Sequence, residues 1–297
     1  MCSAAGRELA HALTALAALA ATLLLTTAAA TADPLTVYAA GDIAECAGDP
    51  AASAAAATAR LIPDGAPVLV LGDSTYALAD AATLAACYGP TWGRHRAHTY
   101  AVPGNHDYVA GSPHDFLAYF GARRQTWFRA RLGDWWVIGL DSNVRDAKLG
   151  RQFRWLRREL AAIEGDGHCI VALWHHALFS TGLHQGDGDS MKPAWRALDA
   201  AGADLVLAGH EHFYESFEPL DVDGNARAAG IREFVVGTGG AGLRDFSISA
   251  RHRAFALEFG VLELELAADG YRWAFHTVDG AVRDAGESRC RRAPQSR

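Results

Sequence analysis

Long apolar stretches are rare in this sequence, and the one that stands out lies at the start of the chain. Residues 13–25 are nearly all leucine and alanine, and Ala30-Thr31-Ala32 offers a small-residue cleavage site before Asp33. This pattern predicts a signal peptide over residues 1–32 and a protein that is secreted or extracytoplasmic. The alternative is a membrane anchor, but an apolar core of about 13 residues is short for a span that needs roughly 20. We expect no membrane association after cleavage.

Cysteine is also scarce, and no two cysteines have the paired spacing of a zinc finger, which argues against a structural zinc site. Cys2 would be removed with the signal peptide. An even number of cysteines then remains, which is typical of disulfides in an exported chain: Cys46, Cys87, Cys169 and Cys290. From the count alone, three pairings are possible.

Positively charged residues are also fewer than negatively charged ones, with 27 Lys and Arg against 34 Asp and Glu and a net charge of −7. This balance argues against nucleic acid as a partner, so an anionic substrate would need a local positive group such as a bound metal. The sequence contains neither an internal repeat nor a linker rich in Pro, Gly or Ser. We therefore predict a single catalytic domain over residues 33–297.

Short apolar strands alternate with helices through most of the chain, and the final part has a β pattern throughout. Strands are predicted over residues 37–40, 68–71, 99–102, 170–173 and 205–207, with a hairpin over 127–140. Helices are predicted over residues 50–62, 80–87, 149–163 and 192–201. Further strands are predicted within 234–236, 256–266 and 271–278. This order indicates an α/β (α+β) fold, a four-layer α/β/β/α sandwich of two packed mixed sheets.

Polar clusters recur directly after the predicted strands. There are five of them: Gly41-Asp42, Gly72-Asp73-Ser74-Thr75-Tyr76, Gly104-Asn105-His106-Asp107, His175-His176 and Gly209-His210-Glu211-His212. The ends of neighbouring strands lie side by side, so these turns can converge on one crevice. The glycines allow the tight turns that direct the next side chain into it.

The residue types in these turns suit metal binding, because Asp, Asn, His and Tyr offer the oxygen and nitrogen donors that divalent and trivalent ions take. One carboxylate can bridge two ions about 3.5–4 Å apart, the separation used for displacement at phosphorus. Cys46 and Cys87 each lie shortly after one of these turns. We therefore expect a Cys46–Cys87 disulfide that joins the two loops, with Cys169 and Cys290 left as the second pair.

Taken together and in this order, the five motifs resemble the calcineurin-like metallophosphoesterases, and among them the purple acid phosphatases. The resemblance spans most of the chain after residue 32. It implies that one metal ion is held by Asp42, Asp73, Tyr76 and His212. It implies a second ion held by Asp73, Asn105, His175 and His210. Asp73 would then bridge the two ions.

Two details of the motifs refine this resemblance. Ala177 stands where the family motif has proline, which makes His175 the ligand and His176 its neighbour. Most of the superfamily has a ligating histidine where this chain has Ala44, and the purple acid phosphatases usually have glycine there. Tyr76 would fill the vacant ligand position, and a phenolate favours Fe(III). Fe(III) is therefore expected in the Tyr76 site, with Fe(II), Zn or Mn in the other.

Three further residues are candidates for catalysis. His106 follows the ligand Asn105 directly and is expected beside the bound phosphate, with Asp107 orienting or charging it. The alternative is that His106 only supports Asn105. His184, in the Gly- and Asp-rich loop at 180–190, is a candidate for substrate contact or, alternatively, a plain surface histidine.

The resemblance implies a dinuclear phosphoesterase that hydrolyses phosphate monoesters of small molecules, like an acid phosphatase, by in-line attack of a metal-bound hydroxide. A phosphodiesterase is the enzymatic alternative, since the same site can serve both reactions. An inactive metal-binding scaffold is the alternative outside enzymes, although such proteins typically lose ligands and this chain has every one. The sequence leaves the oligomeric state open.

Overall fold

The computed structural model describes residues 33–121, 125–244 and 252–291. The proposed signal peptide lies outside the described residues. From residue 33 onward, the described chain forms one compact unit. None of the helices described there is both long and apolar enough to cross a membrane.

The described residues form fifteen strands and five α-helices. The strands are β1 (Leu35–Ala40), β2 (Ala44–Glu45), β3 (Val68–Val70), β4 (Thr75–Tyr76), β5 (Thr99–Ala101), β6 (Phe128–Leu132), β7 (Trp135–Gly139), β8 (Cys169–His176), β9 (Leu205–Gly209), β10 (Tyr214–Ser216), β11 (Arg232–Val236), β12 (Ala254–Ala256), β13 (Gly260–Ala267), β14 (Gly270–Thr277) and β15 (Val282–Arg289). The α-helices are α1 (Ala54–Ala59), α2 (Ala81–Thr83), α3 (His114–Phe120), α4 (Asp146–Ala162) and α5 (Lys192–Ala200). Tighter or wider helical turns span Pro50–Ala52, Leu84–Tyr88, Trp92–His98 and Asp187–Met191.

Two mixed sheets form the centre of the fold. The first has six strands in the order β15-β14-β13-β1-β3-β5, and the second has seven in the order β12-β10-β11-β9-β8-β7-β6. Strands β1, β3 and β5 run parallel to one another, as do β7, β8, β9 and β11. Because parallel strands end at the same edge of a sheet, the polar turns after them are brought together. The predicted fold class is confirmed.

Strand β8 is covered on both faces, by the other sheet on one side and by helices on the other. Val171 and Leu173 belong to the core between the two sheets, whereas Ala172 and Trp174 belong to a second core formed with α4 and α5. Successive side chains of a strand point to opposite faces, so a strand covered on both sides is apolar along its whole length. All eight residues of β8 are accordingly buried.

Two disulfides connect distant parts of the chain. Cys46 pairs with Cys87, with Cα atoms 5.4 Å apart, and Cys169 pairs with Cys290, with Cα atoms 5.7 Å apart. The first joins the loop after β2 to the helical turn at Leu84–Tyr88. The second joins the start of β8, in one sheet, to the end of β15, in the other. Both expected pairings are confirmed.

Several elements differ from the sequence prediction. The helix predicted over 50–62 is interrupted at Ser53, whose Oγ accepts a hydrogen bond from the amide of Ala56 at 3.1 Å and begins a shorter helix. Helix α3 and strand β15 were not predicted. The sequence of β15 is mostly polar because much of the strand is exposed, so it lacks the apolar alternation that identifies a strand.

Candidate metal centre

The five polar turns meet at one edge of the two sheets, and their backbones are bent sharply to do so. Asp42, Asp73 and His210 have left-handed backbone angles, with φ of 58°, 52° and 73°. Such angles cost free energy in non-glycine residues and persist where neighbouring contacts enforce them. One such contact is the amide of His210, which donates to Oδ2 of Asp42 at 2.8 Å. A side chain at Gly104 would collide with Asp73.

One group of donor atoms surrounds the hydroxyl of Tyr76. Its Oη lies 2.6 Å from Oδ1 of Asp42, 2.8 Å from Oδ2 of Asp73 and 3.0 Å from Nε2 of His212. Nδ1 of His212 donates to the carbonyl of Gly242 at 2.7 Å, which leaves Nε2 without its proton in the neutral ring. These are the four side chains predicted for the first ion.

A second group is centred on His175, which is fully buried. Its Nδ1 donates to the carbonyl of Leu71 at 2.8 Å, and this hydrogen bond directs the Nε2 lone pair into the site. Nε2 lies 3.3 Å from Oδ2 of Asp73, 3.2 Å from Oδ1 of Asn105 and 3.2 Å from Nδ1 of His210. These are the four side chains predicted for the second ion, and Asp73 contacts both groups.

Asp187 is a member of the site that sequence reasoning missed. Its Oδ2 lies 3.0 Å from Nε2 of His210, so the histidine donates there and keeps Nδ1 free to face His175. The signal was present in the sequence, because Asp187 belongs to the same Gly- and Asp-rich loop as His184. No spacing rule connects that loop to the turn after β9, however.

The donor set fits bound cations. The single proton of the Tyr76 hydroxyl cannot satisfy both Asp42 and Asp73, which leaves negative charge in a buried place that a cation would balance. Burial would lower the pKa of His175, but Asp73 and Asp42 raise it to about 9. The pocket therefore attracts positive charge. Asp42, Asp73 and His175 also form one of the clusters with metal-ligand spacing among the described residues.

His106 lies at the edge of this centre, and its ring is partly exposed. Nδ1 donates to the carbonyl of Ala77, and Nε2 lies 3.9 Å from Oδ2 of Asp73. The amide of His106 also donates to Oδ1 of Asp73 at 2.8 Å. Nε2 is therefore the nitrogen available to a substrate.

Within the described residues, no hydrogen bond or ion pair joins the carboxylate of Asp107 to the imidazole of His106, which differs from the expected orienting contact. Its buried carboxylate accepts hydrogen bonds from the amides of Asp73 at 2.8 Å, Ser74 at 3.1 Å and Gly104 at 2.8 Å. Burial, with the nearby charge of Asp73, raises the pKa of Asp107 to about 7. The physical reason is local: Asp107 turns back toward its own loop and fixes the two turns that hold Asp73.

His184 is brought to the centre by its loop. Its amide and its Nδ1 lie 2.9 Å and 3.2 Å from the two carboxylate oxygens of Glu211, which stands between His210 and His212 in the sequence. The rings of His184 and His210 have their centres 4.6 Å apart. Sequence reasoning identified His184 but not the buried Glu211 that holds it.

His176 also lies at the centre, although consecutive residues of a strand normally point to opposite faces. An irregularity in the pairing of β8 with β9 between Leu173 and His176 accounts for this. The ring centres of His176 and His210 are 4.4 Å apart, and Nδ1 of His176 lies 2.7 Å from Oγ of Ser142. Nitrogens of His175, His176 and His210 form a second cluster with metal-ligand spacing within the described chain.

Known proteins with a similar sequence or structure include two purple acid phosphatases and an anchoring protein. Purple acid phosphatase 22 of Arabidopsis thaliana is 33% identical over 92 residues, 30% of this chain and 21% of that protein. Purple acid phosphatase PPD1 from yellow lupin seeds has a similar structure, with a TM-score of 0.67 at 16% identity over 86% of this chain and 54% of that one. GAP50, described as the anchor in the inner membrane complex of Plasmodium, also reaches 0.67 at 16% identity, over 87% of this chain and 90% of that one.

These structural similarities establish a shared fold, and the chain spans only about half of the lupin enzyme and a fifth of the Arabidopsis one. The family itself is identified by sequence. The family model named calcineurin-like phosphoesterase matches residues 35–214, well over half of the chain, and the match includes the turns from Asp42 to His212. The chain belongs to the calcineurin-like phosphoesterase family.

Proposed function

We propose that this protein hydrolyses phosphate monoesters at two metal ions bridged by Asp73. One observation supports this above the others: the carboxylate of Asp73 contacts both donor groups, through Tyr76 and through His175. Asp42, Tyr76 and His212 would complete the first metal site. Asn105, His175 and His210 would complete the second.

The bound ions would neutralise the phosphate and polarise its phosphorus toward attack by water. The remaining chemistry belongs to side chains. His106, through Nε2, would give a proton to the departing ester oxygen, since Nδ1 is held by the carbonyl of Ala77. His184, fixed by Glu211 beside His210, would hydrogen-bond a phosphate oxygen.

The choice of metals rests on Tyr76. A phenolate is a hard anionic donor, so we propose Fe(III) in its site and Fe(II), Zn or Mn in the other. Iron-loaded protein should then show a visible charge-transfer band that Tyr76→Phe removes while circular dichroism stays unchanged. An iron-loaded wild type without such a band would contradict the assignment of Fe(III) to this site.

The reaction is tested by measuring phosphate release from p-nitrophenyl phosphate and from its bis ester with defined metals. We expect the monoester to react faster. Asp73→Ala should lose both metals and all activity, whereas Asp64→Ala, which changes an exposed carboxylate paired with Arg94, should change neither. Faster turnover of the diester would instead make the protein a phosphodiesterase. A metal-loaded chain that releases nothing would favour an inactive scaffold.

We also propose export to an oxidising compartment, because two disulfides persist only where thiols are not kept reduced. The mature chain should begin at or near Asp33. N-terminal sequencing of protein recovered outside the cytoplasm tests this, and an intact Met1 on that protein would contradict cleavage.

A further inference from the structure

The exposed face of α4 is strongly basic in a protein whose net charge is −7. The helix contains five basic residues and two acidic ones. Lys148, Arg151, Arg154 and Arg158 are spaced three or four residues apart along it, so they lie on one side. The three arginines are exposed. The face therefore presents a row of cations to solvent.

These cations have no partner of opposite charge within the described part of the chain. No ion pair or hydrogen bond there involves the side chains of Lys148, Arg151, Arg154 or Arg158. Some exposed arginines elsewhere are paired, such as Arg94 with Asp64 and Arg283 with Glu258. Like charges one helical turn apart repel one another, so an anion bound between them would be stabilised.

The row of cations forms one wall of a cavity of about 480 Å³. Gln125, Trp127 and Trp155 complete its lining. Trp127 is only 7% exposed, and its Nε1–H has no hydrogen-bond partner among the described residues. The cavity therefore combines four cationic side chains with two indoles and one amide side chain.

One end of this row of cations lies near Tyr108. Nζ of Lys148 lies 5.8 Å from the ring centre of Tyr108, and Tyr108 directly follows His106 and Asp107 in the chain. From Lys148, α4 continues to Ala162 over 15 residues, a length of about 22 Å. The basic face thus leads away from the turn that holds the proposed catalytic histidine.

We propose that this basic cavity is an anion-binding site for the additional phosphates of a polyphosphorylated ligand. Guanidinium groups match the paired oxygens of phosphate, and their repeat of about one turn, roughly 5.4 Å, suits an anion with several phosphates. That such a ligand is also the substrate, with its terminal phosphate at the metal centre, rests on the proposed function. The anion site itself does not.

Calorimetric titration with sodium tripolyphosphate tests the site. The titration uses the Asp73→Ala protein, so that chelation by bound metals does not contribute. Adding Arg151→Ser and Arg154→Ser should weaken binding about tenfold, the effect of two lost surface charge contacts. Adding Arg60→Ser and Arg196→Ser removes two exposed arginines elsewhere and should change affinity less than about twofold. An equal loss of affinity in both double variants, or no loss in either, would overturn the proposed anion site. Equal affinity for a short polyglutamate would assign the surface to acidic peptides instead.

A kinetic comparison in the metal-loaded wild-type background keeps the test decisive if Asp73→Ala fails to fold. Arg151→Ser with Arg154→Ser should lower kcat/KM for tripolyphosphate about tenfold and leave p-nitrophenyl phosphate unchanged. An equal effect on both substrates would contradict a site for additional phosphates. If the wild type hydrolyses neither compound, the proposed function fails. The anion site is then still tested by measuring how tightly tripolyphosphate binds to the wild type and to the two double arginine variants made from it.

Discussion

The carboxylate of Asp73 stands between His175 and Tyr76, and the tautomers of the surrounding histidines decide which nitrogens face it. Nδ1 of His175 is committed to a backbone carbonyl, and its Nε2 lies 3.3 Å from Asp73. Nδ1 of the adjacent His176 is committed to Ser142 instead. These hydrogen bonds distinguish two neighbouring imidazoles that both lie close to His210.

His175→Ala should therefore lose the second metal ion and leave about one ion per chain, because it removes an imidazole in contact with Asp73 and Asn105. His176→Ala removes the same number of atoms one residue away and should retain two. Elemental analysis of the purified variants measures this. Loss of metal from His176→Ala alone would exchange the roles of the two histidines.

His106→Ala should slow the hydrolysis of glycerol phosphate far more than that of p-nitrophenyl phosphate. An alkoxide needs a proton to depart, whereas p-nitrophenolate does not, and a positioned acid contributes about 10²–10⁴-fold. The comparison of kcat/KM for the two substrates, at unchanged metal content, checks this. An equal loss on both would assign His106 to phosphate binding and make His184 the next candidate for the acid.

Asp107→Asn is expected to act differently from His106→Ala. The Asp107 carboxylate accepts three backbone hydrogen bonds, and the NH2 group of an asparagine would face at least one of these amides, donor against donor. The variant should lower the free energy of unfolding by about 1–3 kcal/mol and reduce metal content, as urea denaturation and elemental analysis would show. A stable variant with the leaving-group dependence of His106→Ala would restore the catalytic role.

The loop from Leu178 to Asp187 is held by three buried glutamates. Glu233 accepts from the amides of Leu178 at 3.0 Å and Phe179 at 2.8 Å. Glu215 accepts from the amide and hydroxyl of Thr181, and Glu211 holds His184. The position of His184 at the metal centre thus depends on carboxylates from β10, β11 and the turn before them.

Glu233 should make the free energy of unfolding depend on pH. Burial raises its pKa from 4.5 to about 8, so between these values the folded chain binds more protons than the unfolded one. The free energy of unfolding therefore falls as pH rises through this window, by up to about 5 kcal/mol from this group. Urea denaturation from pH 5 to 9 should show the decline, and Glu233→Gln should make it shallower. Parallel pH profiles of the two proteins would contradict the raised pKa.

The two disulfides constrain the chain over different lengths. Cys46 and Cys87 are 41 residues apart, and Cys169 and Cys290 are 121 apart. A crosslink stabilises mainly by restricting the unfolded chain, and its effect grows with the logarithm of loop length. Replacing either pair with alanine should lower the free energy of unfolding by about 2–5 kcal/mol, with the longer loop costing about 1 kcal/mol more. Chemical denaturation of the two double variants measures both values, and the reverse order would contradict the chain-entropy explanation.

The sequence by itself determined the fold class and most of the candidate site. Strands such as β8 are apolar up to the ligands at or just after their ends, so strand order alone predicts that Asp42, Asn105 and His210 converge. The geometry of a turn depends on residues close together in the sequence. For this reason the motifs that contain glycine predicted where the ligands lie.

Only the tertiary structure decided the contacts between residues distant in the chain that belong to no shared motif. Asp187 reaches His210, and Glu233 reaches the loop at Leu178, because separate strands and loops pack together. Asp107 turns toward the amides of Asp73 and Gly104, because burial leaves these donors without water as a partner. Sequence order records neither burial nor the direction of a side chain, and these two quantities distinguish a ligand from its neighbour.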